Sequence, residues 1–146
     1  MRMLRSFLGD SRGANAIEFA LLAGPFLLLM LGTIEFGRAF WSRHVIQEVS
    51  IAGARCMAVP QPECMADRKY DQAASLQFIM ASANVKGVAL KQQDVTLSRD
   101  ATCFGSSGFS SVTISYRFTT ALPDFLTALA SGAEMDATSC FPTQGS

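Results

Sequence analysis

Residues 13–41 read GANAIEFALLAGPFLLLMLGTIEFGRAFW, and this stretch decides the architecture. Residues 19–34 carry no charge, and extending back to Ala14 adds a single acid, Glu18. A helix over 14–34 rises about 31 Å at ~1.5 Å per residue. That length matches a hydrocarbon core of about 30 Å. Phe40 and Trp41 follow, where an interfacial aromatic belt is expected. Arg2, Arg5 and Arg12 precede the span against one acid, Asp10. The positive-inside tendency then keeps the N-terminus cytoplasmic and sends the rest of the chain across. Arg38, Arg43 and Arg55 on the far side weaken this bias. A cleaved secretory signal fits poorly. The later A-x-A-like triplet, Ala52-Gly53-Ala54, lies beyond Glu35, Arg38, Arg43 and Glu48.

Two residues are odd for a plain anchor. Glu18 places an ionisable group a turn inside the apolar run, where charge is costly and by default marks function. Gly13 stands at the junction of polar leader and apolar helix, five residues earlier. The stretch Gly13-Ala14-Asn15-Ala16-Ile17-Glu18-Phe19 resembles the processing site of type IV prepilins. It is most similar to the G-x-x-x-x-E-F/Y form of tight-adherence (Flp) pili and their TadE-like pseudopilins. The resemblance continues through Ala20-Leu21-Leu22, Pro25, Ile34-Glu35-Phe36-Gly37-Arg38 and Ile51-Ala52-Gly53-Ala54-Arg55. It covers about the first 60 residues; beyond them only the architecture is similar.

The resemblance implies a prepilin peptidase that cuts between Gly13 and Ala14. It implies a subunit-assembly role for Glu18, paired with the new α-amine of Ala14 on an adjacent subunit. Major Flp pilins are very short, so a chain with a folded head corresponds to a minor pseudopilin that helps initiate or cap the pilus. Its implied partners are the peptidase, other pilins and minor pseudopilins, and the inner-membrane assembly platform. Its implied location is the bacterial inner membrane, single-pass, with the head in the periplasm. The domain reading is a cytoplasmic leader over 1–13, a transmembrane helix over 14–40 and a periplasmic head over 41–146.

The four cysteines, Cys56, Cys64, Cys103 and Cys140, all follow the span. An even number on one side of a membrane suggests disulfides in an oxidising compartment. Three pairings are open. Position favours Cys56–Cys64, a clasp past the end of a helix and two prolines, and Cys103–Cys140, which meet at one sheet edge if the last strand runs antiparallel to the second. A zinc site lacks support: no Cys-x-x-Cys spacing occurs and His44 is the single histidine.

The expected fold class is α+β. The N-terminal helix runs to about Val59, with Trp41, Val45, Val49, Ala52 and Cys56 on one face. Pro60 and Pro62 stop it. The small residues Gly53, Ala54 and Ala58 allow close approach. A second helix is expected over 67–84, with Tyr70, Ala74, Phe78 and Ala81 on one face. Alternation around Val95–Leu97 and from Val112 to Phe118 predicts two strands, joined by a wide turn over 102–108. A short amphipathic segment at 122–130 and a last strand at 134–141 complete a three-stranded antiparallel sheet.

Twelve basic and twelve acidic residues give zero net charge and no case for a nucleic-acid partner. Gly105-Ser106-Ser107-Gly108 has no following Lys and is no phosphate loop. No serine sits in G-x-S-x-G. The sequence therefore points to a structural protein, not an enzyme, and calls for no cofactor. The competing reading is a membrane-anchored periplasmic binding or sensor module that is never processed.

Overall fold

The computed structural model describes residues 14–59, 61–67, 69–120 and 134–143. The leader with Gly13, the stop at Pro60 and the amphipathic segment at 122–130 lie outside them. The chain divides into two compact units, Met1–Gly37 and Arg38–Ser146. The fold is α+β, as expected, with a long N-terminal helix, a second helix and a three-stranded antiparallel sheet.

Helix α1 spans Ala14–Ala58 and runs on through Pro25. In the first unit its apolar side chains face outward: Phe19, Leu21, Leu29 and Phe36 are each more than two-thirds exposed. Among the described residues it is the one helix long and apolar enough to cross a membrane. The length and position of that segment fit a single-pass membrane protein.

From Arg38 onward α1 becomes a core helix. Val45, Ile46, Val49, Ala54 and Met57 are buried in one cluster with Ile79, Ala83, Val88, Leu90, Val112, Ile114 and Ala137. Each such Val or Ile contributes about 1.5–3 kcal/mol relative to an exposed position. At Gly53 α1 leaves no room for a side chain. A Cβ there would lie 2.7 Å from Ile79 Cδ1 and 3.4 Å from Val112 Cγ2. Gly53, Ala54 and Ala58 are thus used inside this chain's own folded unit.

After α1, a 3-10 turn at Pro62–Cys64 leads into a two-strand hairpin, β1 (Met65–Ala66) and β2 (Lys69–Tyr70). Asp67 enters the left-handed region at φ 51 to turn it. The expected second helix therefore starts later than position 67. Helix α2 spans Gln72–Val85, and Asp71 caps it by accepting from the Ala74 N–H at 2.6 Å. Its buried face is also rotated from the expected one. Ser75, Ile79 and Ala83 point inward, while Ala74 and Phe78 are half-buried and Ala81 is exposed. A serine at a core position hid the stripe. Its hydroxyl is satisfied by donating to the Asp71 carbonyl at 2.8 Å, so it is buried without an unmet polar group.

The sheet is β3 (Val95–Cys103), β4 (Ser106–Arg117) and β5 (Glu134–Pro142), with β4 in the centre. Val112, Ile114 and Ala137 face the helices, and Thr113 and Thr138 pair hydroxyls at 3.1 Å on the outer face. The turn between β3 and β4 is tight, not wide. Phe104 at φ 53 and Gly105 at φ 81 make its two central residues, the pattern of a type I′ turn. The register then shifts on both sides of Ala101. Gly108, at φ 86, sits in the extra residue of β4, as bulge glycines do.

Candidate functional site

The N-terminal motif falls at the start of α1. Ala14 is its first residue, and Glu18 and Phe19 are exposed on it. Ala14 and Glu18 are four residues apart, so they stack on one helical face about 6 Å apart along the axis. No acid lies in the helix's first turn. A free α-amine at Ala14 would meet the positive end of the helix dipole. A carboxylate one turn on, from this chain or a neighbour, offsets that repulsion and eases its own burial in lipid. Gly13 itself lies outside the described residues.

A second acid of the motif behaves differently. Glu35 is only 7 % exposed. Its signal in the sequence is slight: an acid that directly follows the uncharged run 19–34. Arg38, three residues on, sits over the Phe118 ring at 5.7 Å.

Where α1 joins the folded unit it is braced to the end of α2. Trp41 Nε1–H donates to the Lys86 carbonyl at 3.1 Å, and Lys86 Nζ bonds the Glu48 carboxylate. That hydrogen bond holds the Glu48 carboxyl below its ordinary range. Its stabilisation is present above the normal carboxylate range and fades as pH falls through the lowered value. As a surface pair it adds little. On β2, partial burial raises the Tyr70 phenol, with Arg99 over its ring at 4.7 Å. His44 points outward on α1 beside Trp41, at 6.4 Å between ring centres. Among the described residues no cluster of His, Cys, Asp or Glu has the makeup of a metal site.

The cysteines are joined Cys56–Cys64 and Cys103–Cys140. The first ties the last turns of α1 to the 3-10 turn, whose Cys64 carbonyl accepts from the Asp71 N–H at the start of α2. The second has another geometry than a shared sheet edge. Cys103 pairs with Ser106 and Cys140 with Ser111, on opposite sides of β4. In a flat sheet five residues of offset amount to about 16 Å along the strand. The Cα atoms are 6.5 Å apart. The end of the β3–β4 hairpin is therefore folded over the sheet at its bulges. Thr143 N–H donates to the Gly108 carbonyl at 2.9 Å beside this fold. Strand alternation puts Cys140 opposite in facing to Ala137 and to Ser139, whose hydroxyl meets Ser50 of α1 at 2.7 Å. The hairpin end thus lies on the outer face.

No curated protein and no solved structure matches the chain. The model of the family described as TadE-like protein matches residues 13–55, so the family that the N-terminal motif resembles is the one this segment matches.

Proposed function

We propose that this chain is a minor pilin-like subunit, a pseudopilin, of a tight-adherence (Flp) pilus system. The observation that carries the reading is the pairing of the 13–55 match with its content: Glu18 one turn into a lipid-length helix, five residues after Gly13. In this reading a prepilin peptidase cuts after Gly13 and frees the Ala14 amine. Phe19 follows the acid as in the family motif. The head stays on the periplasmic side of the bacterial inner membrane, and the span holds it there until assembly. Other pilins and the assembly platform are its partners. The chain performs no catalysis; it is the peptidase's substrate.

N-terminal sequencing of the protein extracted from membranes tests this directly. The expected N-terminus is Ala14. A peptidase must bring backbone against its catalytic groups, so a side chain at position 13 obstructs it. Gly13→Leu is expected to leave the leader attached. Glu18→Ala is expected to be cut but not to support pilus assembly, and Glu18→Gln separates shape from charge. An uncut Met1 in the wild type favours the unprocessed anchor. Normal cutting of Gly13→Leu, with piliation unaffected by both Glu18 changes, sinks the pilin reading.

A further inference from the structure

The end of the sheet where β4 stops and β3 and β5 begin carries a cleft that neither anchoring nor processing uses. Lys91 and Asp94 precede β3, Arg117 closes β4 and Glu134 opens β5. With Ser115 and Tyr116 they line an open hollow of about 690 Å³, a size common for small-ligand sites. One Asp94 oxygen already accepts the Lys91 N–H at 2.8 Å. Glu134 stands opposite Arg117 in the β4–β5 register. Lys91, Arg117 and Glu134 are all exposed. Among the described residues none of the three forms an ion pair. Two cations and an acid therefore share one opening.

The cleft lies at the end of the folded unit where α1 enters it. Arg38 sits over the ring of Phe118, the residue after Arg117. Trp41 donates to the Lys86 carbonyl, three residues before Ala89 on the rim of the cleft. Arg38 and Trp41 follow Ile34, the end of the uncharged run, by four and seven residues. As helix, that is about 6 and about 10 Å. Each headgroup layer is about 5–8 Å thick, half the difference between ~30 Å of hydrocarbon and ~40–45 Å of whole bilayer. The α1 residues beside the cleft thus come at the depth of lipid headgroups.

We propose that this cleft holds the headgroup of a membrane phospholipid whose phosphate carries a primary ammonium arm, phosphoethanolamine. Lys91 and Arg117 bind the phosphate, the guanidinium by paired N–H groups that match its oxygens. Glu134 accepts from the ammonium. Adjacent strands lie about 4.8 Å apart, so Arg117 and Glu134 offer opposite charges at about the separation that two carbons set between phosphate and ammonium. An anionic headgroup without that arm would bring its phosphate beside the Glu134 carboxylate with nothing to offset it, which costs affinity. A trimethylated arm has no N–H to donate and takes aromatic faces instead. The inference needs only the span and the folded unit, so it holds for an unprocessed anchor as much as for a pilin.

The test uses the full chain in vesicles of phosphatidylethanolamine and phosphatidylglycerol, treated with a water-soluble carbodiimide. The reagent takes up water as it joins a carboxylate to a primary amine in contact with it, leaving an amide. The expected product is a lipid adduct at Glu134, located by peptide mass mapping. Lys91→Gln and Arg117→Gln should keep both disulfides by non-reducing mapping and each lower the adduct about tenfold, equivalent to ~1.4 kcal/mol. The sign is diagnostic. If Arg117 served only to pair with Glu134, its removal would bare the carboxylate and raise the yield. A yield unchanged or raised by Arg117→Gln therefore overturns the proposal. So does an absent adduct, or one spread equally over Glu134 and Asp136. Free phosphoethanolamine added to the chain in phosphatidylcholine vesicles should give little adduct; an equal yield there would mark a soluble ligand and overturn the lipid assignment.

Discussion

Gly53 shows how much one residue decides. A Cβ on it would lie 2.7 Å from both Cγ1 and Cδ1 of Ile79, which is fully buried. Alanine would gain about 1 kcal/mol of helix propensity against an overpacking cost of about 1–3 kcal/mol. Gly53→Ala should therefore destabilise mildly, and Gly53→Leu by roughly 3 kcal/mol. Urea unfolding of the full chain in detergent can be followed by Trp41, the single tryptophan. Its N–H bond to Lys86 makes it a reporter of α1 docking on α2. Combining Gly53→Ala with Ile79→Ala should cost less than the sum of the two, because the second removes the atoms the first strikes. Strict additivity would disprove the close approach. Asp71→Ala should cost about 1 kcal/mol through the lost cap of α2; an unchanged urea midpoint would show that the Asp71 carboxylate contributes nothing to helix stability. The small size of Gly53 was legible in sequence, but the neighbour it admits was not. The Asp71 cap is hidden in the sequence because Tyr70 reads as part of the helix, whereas it packs against the core from β2.

At the scale of elements, legibility followed periodicity. The period-two run from Val112 to Phe118 marked β4, and the apolar run marked α1. What failed was punctuation. Gly105 and Gly108 both looked like residues of one wide loop, but only Gly105 turns the chain, and Gly108 bulges a strand. Spacing alone cannot separate these uses, since both rest on the same freedom of φ. The outcome matters for the disulfides. Cys56–Cys64 closes eight residues and Cys103–Cys140 closes 37. Chain-entropy arguments give about 2.5 and about 4 kcal/mol for loops of these lengths. Replacing Cys103 and Cys140 by Ala should thus lower stability more than replacing Cys56 and Cys64. It should also free the hairpin end from the sheet face, raising amide exchange across 101–108. The short clasp acts elsewhere: its loss should raise exchange in the last turns of α1 and the 3-10 turn. A reversed order of stabilities, or exchange changes confined to the other bridge's region, would refute this division of labour.

For the whole molecule, two physically independent arguments bear on the proposed topology. Arg2, Arg5 and Arg12 before the span favour a cytoplasmic N-terminus. Two disulfides after it call for an oxidising compartment. The first argument depends on the charge of the leader and the second on redox chemistry, so one can fail without the other. A reporter active only outside the cytoplasm, fused after Ser146, is expected to be active. All four cysteines are expected to resist a membrane-impermeant thiol reagent until reduced. Reversing the leader charges with Arg2→Glu, Arg5→Glu and Arg12→Glu should lower the reporter signal, because retention of positive charge is what orients the first helix. If the charge-reversed chain turns inward, its cysteines should become free thiols together with the loss of signal. A reporter that works only on the cytoplasmic side, in cells where the cysteines are nonetheless bridged, would separate the two arguments and end the topology. With that topology gone, the peptidase reading would lose its geometry as well, since Gly13 and Glu18 would no longer meet an enzyme at the inner face.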